Sequence, residues 1–171
     1  MTAYVALLRA VNVGGTGKLP MADLKAMCVA AGLAQVQTYI ASGNVVFTSD
    51  HSEDVVRAAI EAPLEAYAGK HVDVLIRSAE EMAKVLAANP FADTPGNRTM
   101  ALFVDAPLSQ DAIDAAKHVK DEEMRLGERV IYISYGDGMA NSRLILPVAK
   151  AGTARNMNTV AELAEMAAAL S

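Results

Sequence analysis

Ser42-Gly-Asn-Val-Val-Phe-Thr-Ser49 and Leu126-Gly-Glu-Arg-Val-Ile-Tyr-Ile-Ser134 decide how this chain is read. Each places a glycine turn ahead of a β-branched run, the pattern of a strand leaving a tight hairpin. Around the first, Val36–Ser42 supplies the incoming strand. Ahead of it, Ala3–Val11 reads as a buried strand that the glycines at 14, 15 and 17 end, and a helix runs from Pro20 to Gly32. After it, Ser52–Ala68 is a helix with Val55, Val56, Ala59, Ile60 and Leu64 on one face and Pro63 expected to kink or restart it. His71–Ile76 then alternates as a half-buried strand does.

Around the second hairpin the order starts again. Thr99–Val104 is a strand, Ser109–His118 a helix, and Glu123–Leu126 and Val130–Ser134 are strands. A helix is expected around Asn141–Ala149, then an extended piece over Gly152–Arg155 and a helix over Asn158–Leu170. The expected fold class is therefore α+β, with two ferredoxin-like (βαββαβ) halves plus linking and C-terminal helices. The halves span 1–78 and 99–171, joined over 79–98 by a helix at Ala79–Ala88 and the breaker-rich run Asn89–Arg98.

Of the 171 residues 53% are hydrophobic, with three Phe and no Trp, so the core is aliphatic. Fifteen Lys and Arg against twenty Asp and Glu leave a net charge of −5, which argues against broad binding to nucleic acid or anionic membrane. Cys28 is the sole cysteine, so neither an intrachain disulfide nor a cysteine-based zinc cluster can form. No stretch reaches the about 20 apolar residues of a membrane span, and the N-terminus lacks a signal-peptide pattern. The expected compartment is the cytoplasm.

Chemistry is sought first in Arg9-Ala-Val-Asn-Val-Gly-Gly-Thr-Gly-Lys-Leu-Pro-Met21, between the first strand and the first helix. With Pro20 at the first helical position the cap falls on Leu19, which has no side-chain acceptor, so the amides there are left for an anion beside Arg9 and Lys18. The loop is neither a Walker A motif, lacking glycine at Asn12 and a hydroxyl at Leu19, nor a dinucleotide fingerprint. A plain glycine connection explains it as well.

Thr153-Ala-Arg155-Asn156-Met-Asn158-Thr159 is the second candidate; Asn158 and Thr159 read as caps, whereas Arg155 and Asn156 join the anion-site idea. Ser42-Gly-Asn44 is a hairpin turn rather than a nucleophile elbow. His51, His71 and His118 lack metal-ligand spacing and are expected at the surface, and no metal site is expected. The acidic run Asp121–Glu123 reads as a solvated edge, and Tyr135 either lines a pocket or covers the core rim.

Leu7-Leu-Arg-Ala-Val-Asn-Val-Gly-Gly15, Lys18-Leu-Pro-Met21, Thr38–Phe47, Ile131–Met139 and Ala154-Arg-Asn-Met-Asn-Thr-Val160 together resemble the bacterial domain-of-unknown-function family 1697 over nearly the whole chain. The resemblance implies an α+β fold with two ferredoxin-like parts; no activity is established for the family, so it adds no mechanism. The family commonly has Gly at the position of Ala10 and Trp at that of Met157. Positions matching its motifs supply the expected ligand-binding set: Arg9, Asn12, Gly14, Gly15, Lys18, Ser42, Asn44, Arg155 and Asn156, with Gly43 beside them.

Three functions follow as expectations: binding of a small anionic, phosphate-bearing ligand at the glycine-rich loop; a hydrolase or transferase on the same site; or assembly through sheet edges. Arg9, Lys18 and Arg155 are expected to share one concavity. No motif names a cofactor.

Overall fold

The computed structural model describes residues 1–9, 19–40, 43–136 and 142–171. The chain divides into two units, one formed by Met1–Met82 with Leu163–Ser171 and the other by Ala83–Glu162.

The first unit contains β1 (Thr2–Leu8), α1 (Met21–Ala30), β2 (Ala34–Tyr39), β3 (Asn44–Ser49), α2 (Glu53–Ala68) and β4 (Val74–Ser78), and the first residues of α3 (Ala79–Ala87). Its sheet has the order β2-β3-β1-β4 and is antiparallel throughout. Strand alternation sends Tyr4, Ala6 and Leu8 with Phe47 and Ile76 into a core shared with Leu24 and Cys28 of α1 and Val56, Ile60 and Leu64 of α2. Tyr4 and Phe47 are cross-strand partners with ring centroids 5.7 Å apart. Val5, Leu7, Val46 and Leu75 on the opposite face are buried too, so the strands read as continuous apolar runs.

Helix α2 continues through Pro63 without the expected restart and ends at Gly69, whose φ of 72° lets its N–H donate to the Glu65 carbonyl. Three buried residues four apart hold the helix against the sheet across the position where the proline lacks an N–H. At α3, Ser78 and Glu81 satisfy each other's backbone N–H groups at 3.1 Å, a reciprocal capping box.

The second unit contains β5 (Thr99–Val104), α4 (Gln110–Asp114), β6 (Glu123–Gly127), β7 (Val130–Ser134), β8 (Gly152–Asn156) and the start of α5 (Met157–Leu170). Its sheet order, β6-β7-β5-β8, repeats that of the first. Leu102, Val104, Ile131 and Ile133 form one face of the core, with Ile113 of α4 and Leu146 against them.

Two expected helices are cut short here. The helix placed at Ser109–His118 is only α4, because Lys117 leaves it to exchange backbone hydrogen bonds with Ile145 and His118 takes a left-handed φ of 60°. The helix placed around Asn141–Ala149 is a 3-10 turn over Pro147–Ala151: the Ile145 bridge holds the chain extended until Pro147. Asn141 lies outside the described residues. The turn stops at Gly152, where a Cβ would run into the Phe103 carbonyl oxygen, so β8 needs a residue without a side chain to approach β5.

Two measurements check this reading. Gly152→Ala should cost about 1–3 kcal/mol in denaturant unfolding, since the obstructing atom is backbone; no loss would mean that β8 is not so close to β5. Asn156→Ala should cost about 1 kcal/mol and Asn156→Ser much less, because the Asn156 carboxamide oxygen accepts the Thr159 N–H at 2.9 Å in the first turn of α5.

Candidate functional site

The sheet pairing of the first unit gathers three connections at one end. Leu8 N–H donates to the Gly43 carbonyl at 2.9 Å and Arg9 N–H to the Asp73 carbonyl at 3.0 Å. The end of β1, the β2–β3 hairpin and the approach to β4 therefore meet there. Helix α1 leads into the far end of β2, so its N-terminus faces this same end.

Arg9 is half-buried just beyond β1. Asn44 is fully buried, and its side-chain amide donates to the Tyr39 carbonyl at 2.9 Å, closing the hairpin. Gly43 has a φ of 89° that suits glycine, but Ile40 has a φ of 48° with its side chain 49% exposed. A β-branched residue in this conformation carries strain of about 1–3 kcal/mol. Helix α1 starts one residue later than the sequence suggests: Pro20, not Leu19, is the cap, it lacks any side-chain cap bond, and Leu19 is buried. Asn12, Gly14, Gly15, Lys18 and Ser42 lie outside the described residues.

Beside this end His71 Nε2 sits 2.9 Å from Asp73 Oδ1 and 3.6 Å from Glu61 Oε2, and Glu61 also accepts the Val74 N–H at 3.1 Å. An imidazole and two carboxylates converge here as a donor set suited to a divalent ion, with His71 54% exposed. Sequence spacing does not join Glu61 to His71; the end of α2 folding back over β4 does. His71 is at the surface as expected, yet it is engaged.

In the second unit Arg155 is 6% exposed and its Nη1 donates to Thr153 Oγ1 at 2.6 Å and to the Ala154 carbonyl at 2.9 Å. Burial pulls its pKa down to about 10, which leaves it charged at neutral pH. Asn156 is the cap of α5, a role the sequence reading gave instead to Asn158 and Thr159. Arg9 belongs to the first unit and Arg155 to the second, and Lys18 is not among the described residues.

Arg77, which sequence reasoning passed over, is 1% exposed and donates to the Ile76 carbonyl at 2.8 Å. It is the fourth residue of β4 opposite Val5, as Arg155 is the fourth of β8 opposite Ala101. The repetition of that position was the signal available. Tyr135 packs on the rim of the second core, and burial with the nearby Glu122 charge pushes its pKa up. The Glu122 carboxyl is itself held below its usual range by hydrogen bonds from Ser142 and the Lys120 N–H.

The conserved bacterial protein SP0830 from Streptococcus pneumoniae has a similar solved structure: TM-score 0.80, 25% identity, covering 97% of this chain and 98% of that one. No curated protein matches. The family described as "Protein of unknown function (DUF1697)" matches residues 1–132, well over half of the chain. The chain belongs to that family.

Proposed function

We propose that the chain binds a small anionic, phosphate-bearing ligand at the end of the first sheet where β1 gives way to the glycine-rich segment. The observation carrying this reading is the pairing of Leu8 with Gly43 and of Arg9 with Asp73, which brings a cation and two connections together in front of a helix start with no side-chain cap. In this reading Arg9 supplies charge beside the hairpin that Asn44 closes, and Lys18, Asn12, Gly14, Gly15 and Ser42 join the set from their place in the sequence alone. Asp23, in the first turn of α1, already occupies part of the helix field, so the arginine and lysine carry most of the attraction. Arg155 and Asn156, engaged by their own strand and helix, are left out of this set.

The two sheets with their helices we read as two ferredoxin-like halves of an internal duplication. Their common strand order and the arginine at the fourth position of β4 and β8 support this. We place the protein in the cytoplasm; its one thiol, Cys28, is buried with its pKa pushed up to about 12, and no helix among the described residues is long and apolar enough to cross a membrane.

A second reading, an enzyme on the same site, is favoured by the His71–Asp73 pair, in which a carboxylate orients an imidazole able to move a proton. In it His71 acts on a phosphate ester held near Arg9.

Saturating phosphate at about 100 times its dissociation constant should raise the melting temperature of the wild type by about 5–10 °C, and that of Arg9→Ala much less. Equal shifts, or none, would return the loop to a plain connection. Release of phosphate from p-nitrophenyl phosphate that disappears in His71→Asn, with the thermal shift kept, would select the enzyme; no release leaves a binding protein.

A further inference from the structure

Three side chains able to ligate a metal meet where α2 gives way to β4. Glu61 belongs to the helix, whereas His71 and Asp73 belong to the connection that follows it. Gly69 ends α2 in the left-handed region and reverses the chain, which carries His71 and Asp73 back alongside Glu61. The imidazole Nε2 and one oxygen of each carboxylate all lie within 4.8 Å of one another. Nε2 is 2.9 Å from Asp73 Oδ1 and 3.6 Å from Glu61 Oε2. A proton on Nε2 accounts for the first distance only, because the second is beyond hydrogen-bond reach. Donor atoms held about 2.1 Å from a four-coordinate ion lie about 3.4 Å apart, a value that these two distances straddle. Both carboxylate residues are held from outside the cluster: Glu61 Oε2 accepts the Val74 N–H at 3.1 Å, and the Asp73 carbonyl accepts the Arg9 N–H at 3.0 Å. Outer hydrogen bonds of this kind orient the ligands of a metal site.

We infer that Glu61, His71 and Asp73 bind one divalent transition ion of the zinc type, with its remaining position open to water. The imidazole nitrogen selects such an ion over magnesium and calcium, which prefer oxygen ligands alone. A dipositive ion set among the three answers both carboxylates at once, where a single ring proton answers one. Glu61 is partly buried and His71 and Asp73 are half exposed, so the cluster is closed on the helix side and open to solvent on the other. Spacing along the chain predicts no metal site, because Glu61 is remote from the His71 and Asp73 pair; the fold supplies the third ligand. The site stands apart from the anion reading above. It takes up the Nε2 lone pair of His71, so ion binding and the proton-moving role of the second reading exclude each other.

The test is titration calorimetry with zinc, magnesium and calcium chlorides on tag-free protein, stripped with a chelator and dialysed into phosphate-free buffer. The wild type is compared with His71→Ala, Glu61→Gln and, as a histidine outside the cluster, His118→Asn. Glutamine keeps an acceptor for the Val74 N–H, and asparagine suits the left-handed backbone at His118, so the variants should melt within a few degrees of the wild type. The wild type should bind one zinc ion per chain, about a hundredfold or more tightly than magnesium or calcium. His71→Ala and Glu61→Gln should each weaken zinc binding by about thirtyfold or more, and His118→Asn should leave it within about twofold. An absence of zinc binding in the wild type, zinc held no more tightly than magnesium or calcium, or an affinity unchanged in both His71→Ala and Glu61→Gln would each overturn the site and leave His71 and Asp73 a plain hydrogen-bonded pair. A loss in His118→Asn as large as in His71→Ala would also overturn it, by placing the ion elsewhere.

Discussion

Everything in the first unit depends on β1 being paired on both sides. A strand with β3 on one edge and β4 on the other has every backbone donor and acceptor answered by neighbours, so its side chains can be apolar on both faces. Register follows, because a one-residue slip would exchange the Tyr4, Ala6 and Leu8 set for the Val5 and Leu7 set. The same double pairing of β5 by β7 and β8 organises the second unit. The ends of a central strand are where its neighbours' connections collect, and the candidate site is such an end.

Among the described residues, the buried arginines are the charged exceptions to these apolar faces. A guanidinium taken out of water is costly unless its donors are answered. Arg77 and Arg155 both turn back on their own strand, each donating a hydrogen bond to the carbonyl of the preceding residue. Arg155 adds the Thr153 hydroxyl two residues back, on the same side of the strand. Thr99 Oγ1, by contrast, is buried with no hydrogen-bond partner, so polar groups on the face shared by Thr99 and Ala101 are not all equally well served.

Much of the architecture was legible in the chain because its signals are local. Gly127-Glu-Arg-Val130 closes a hairpin by itself, and Thr99–Val104 is bounded by breakers on both sides. Where distant residues decide, legibility fails. Nothing near Ala115 announces that Lys117 will pair with Ile145, yet that pairing shortens one helix and displaces another. The site shows the same division. Asn44 in its hairpin was readable, but Glu61 reaches His71 only through the return of α2 over β4. Asn156 was misread because a capping side chain sits before the first helical residue, and the helix begins at Met157 rather than Asn158.

The grouping of Leu163–Ser171 with the first unit makes that unit discontinuous along the chain. On a ribosome, residues 1–82 emerge first but lack a segment that is synthesised only after the whole second unit has been made. Contacts of such long sequence separation carry a large loop-closure cost and form late. The terminal segment therefore joins last, onto an amino-terminal core running from Tyr4 to Ile76 whose members all lie within the first 82 residues.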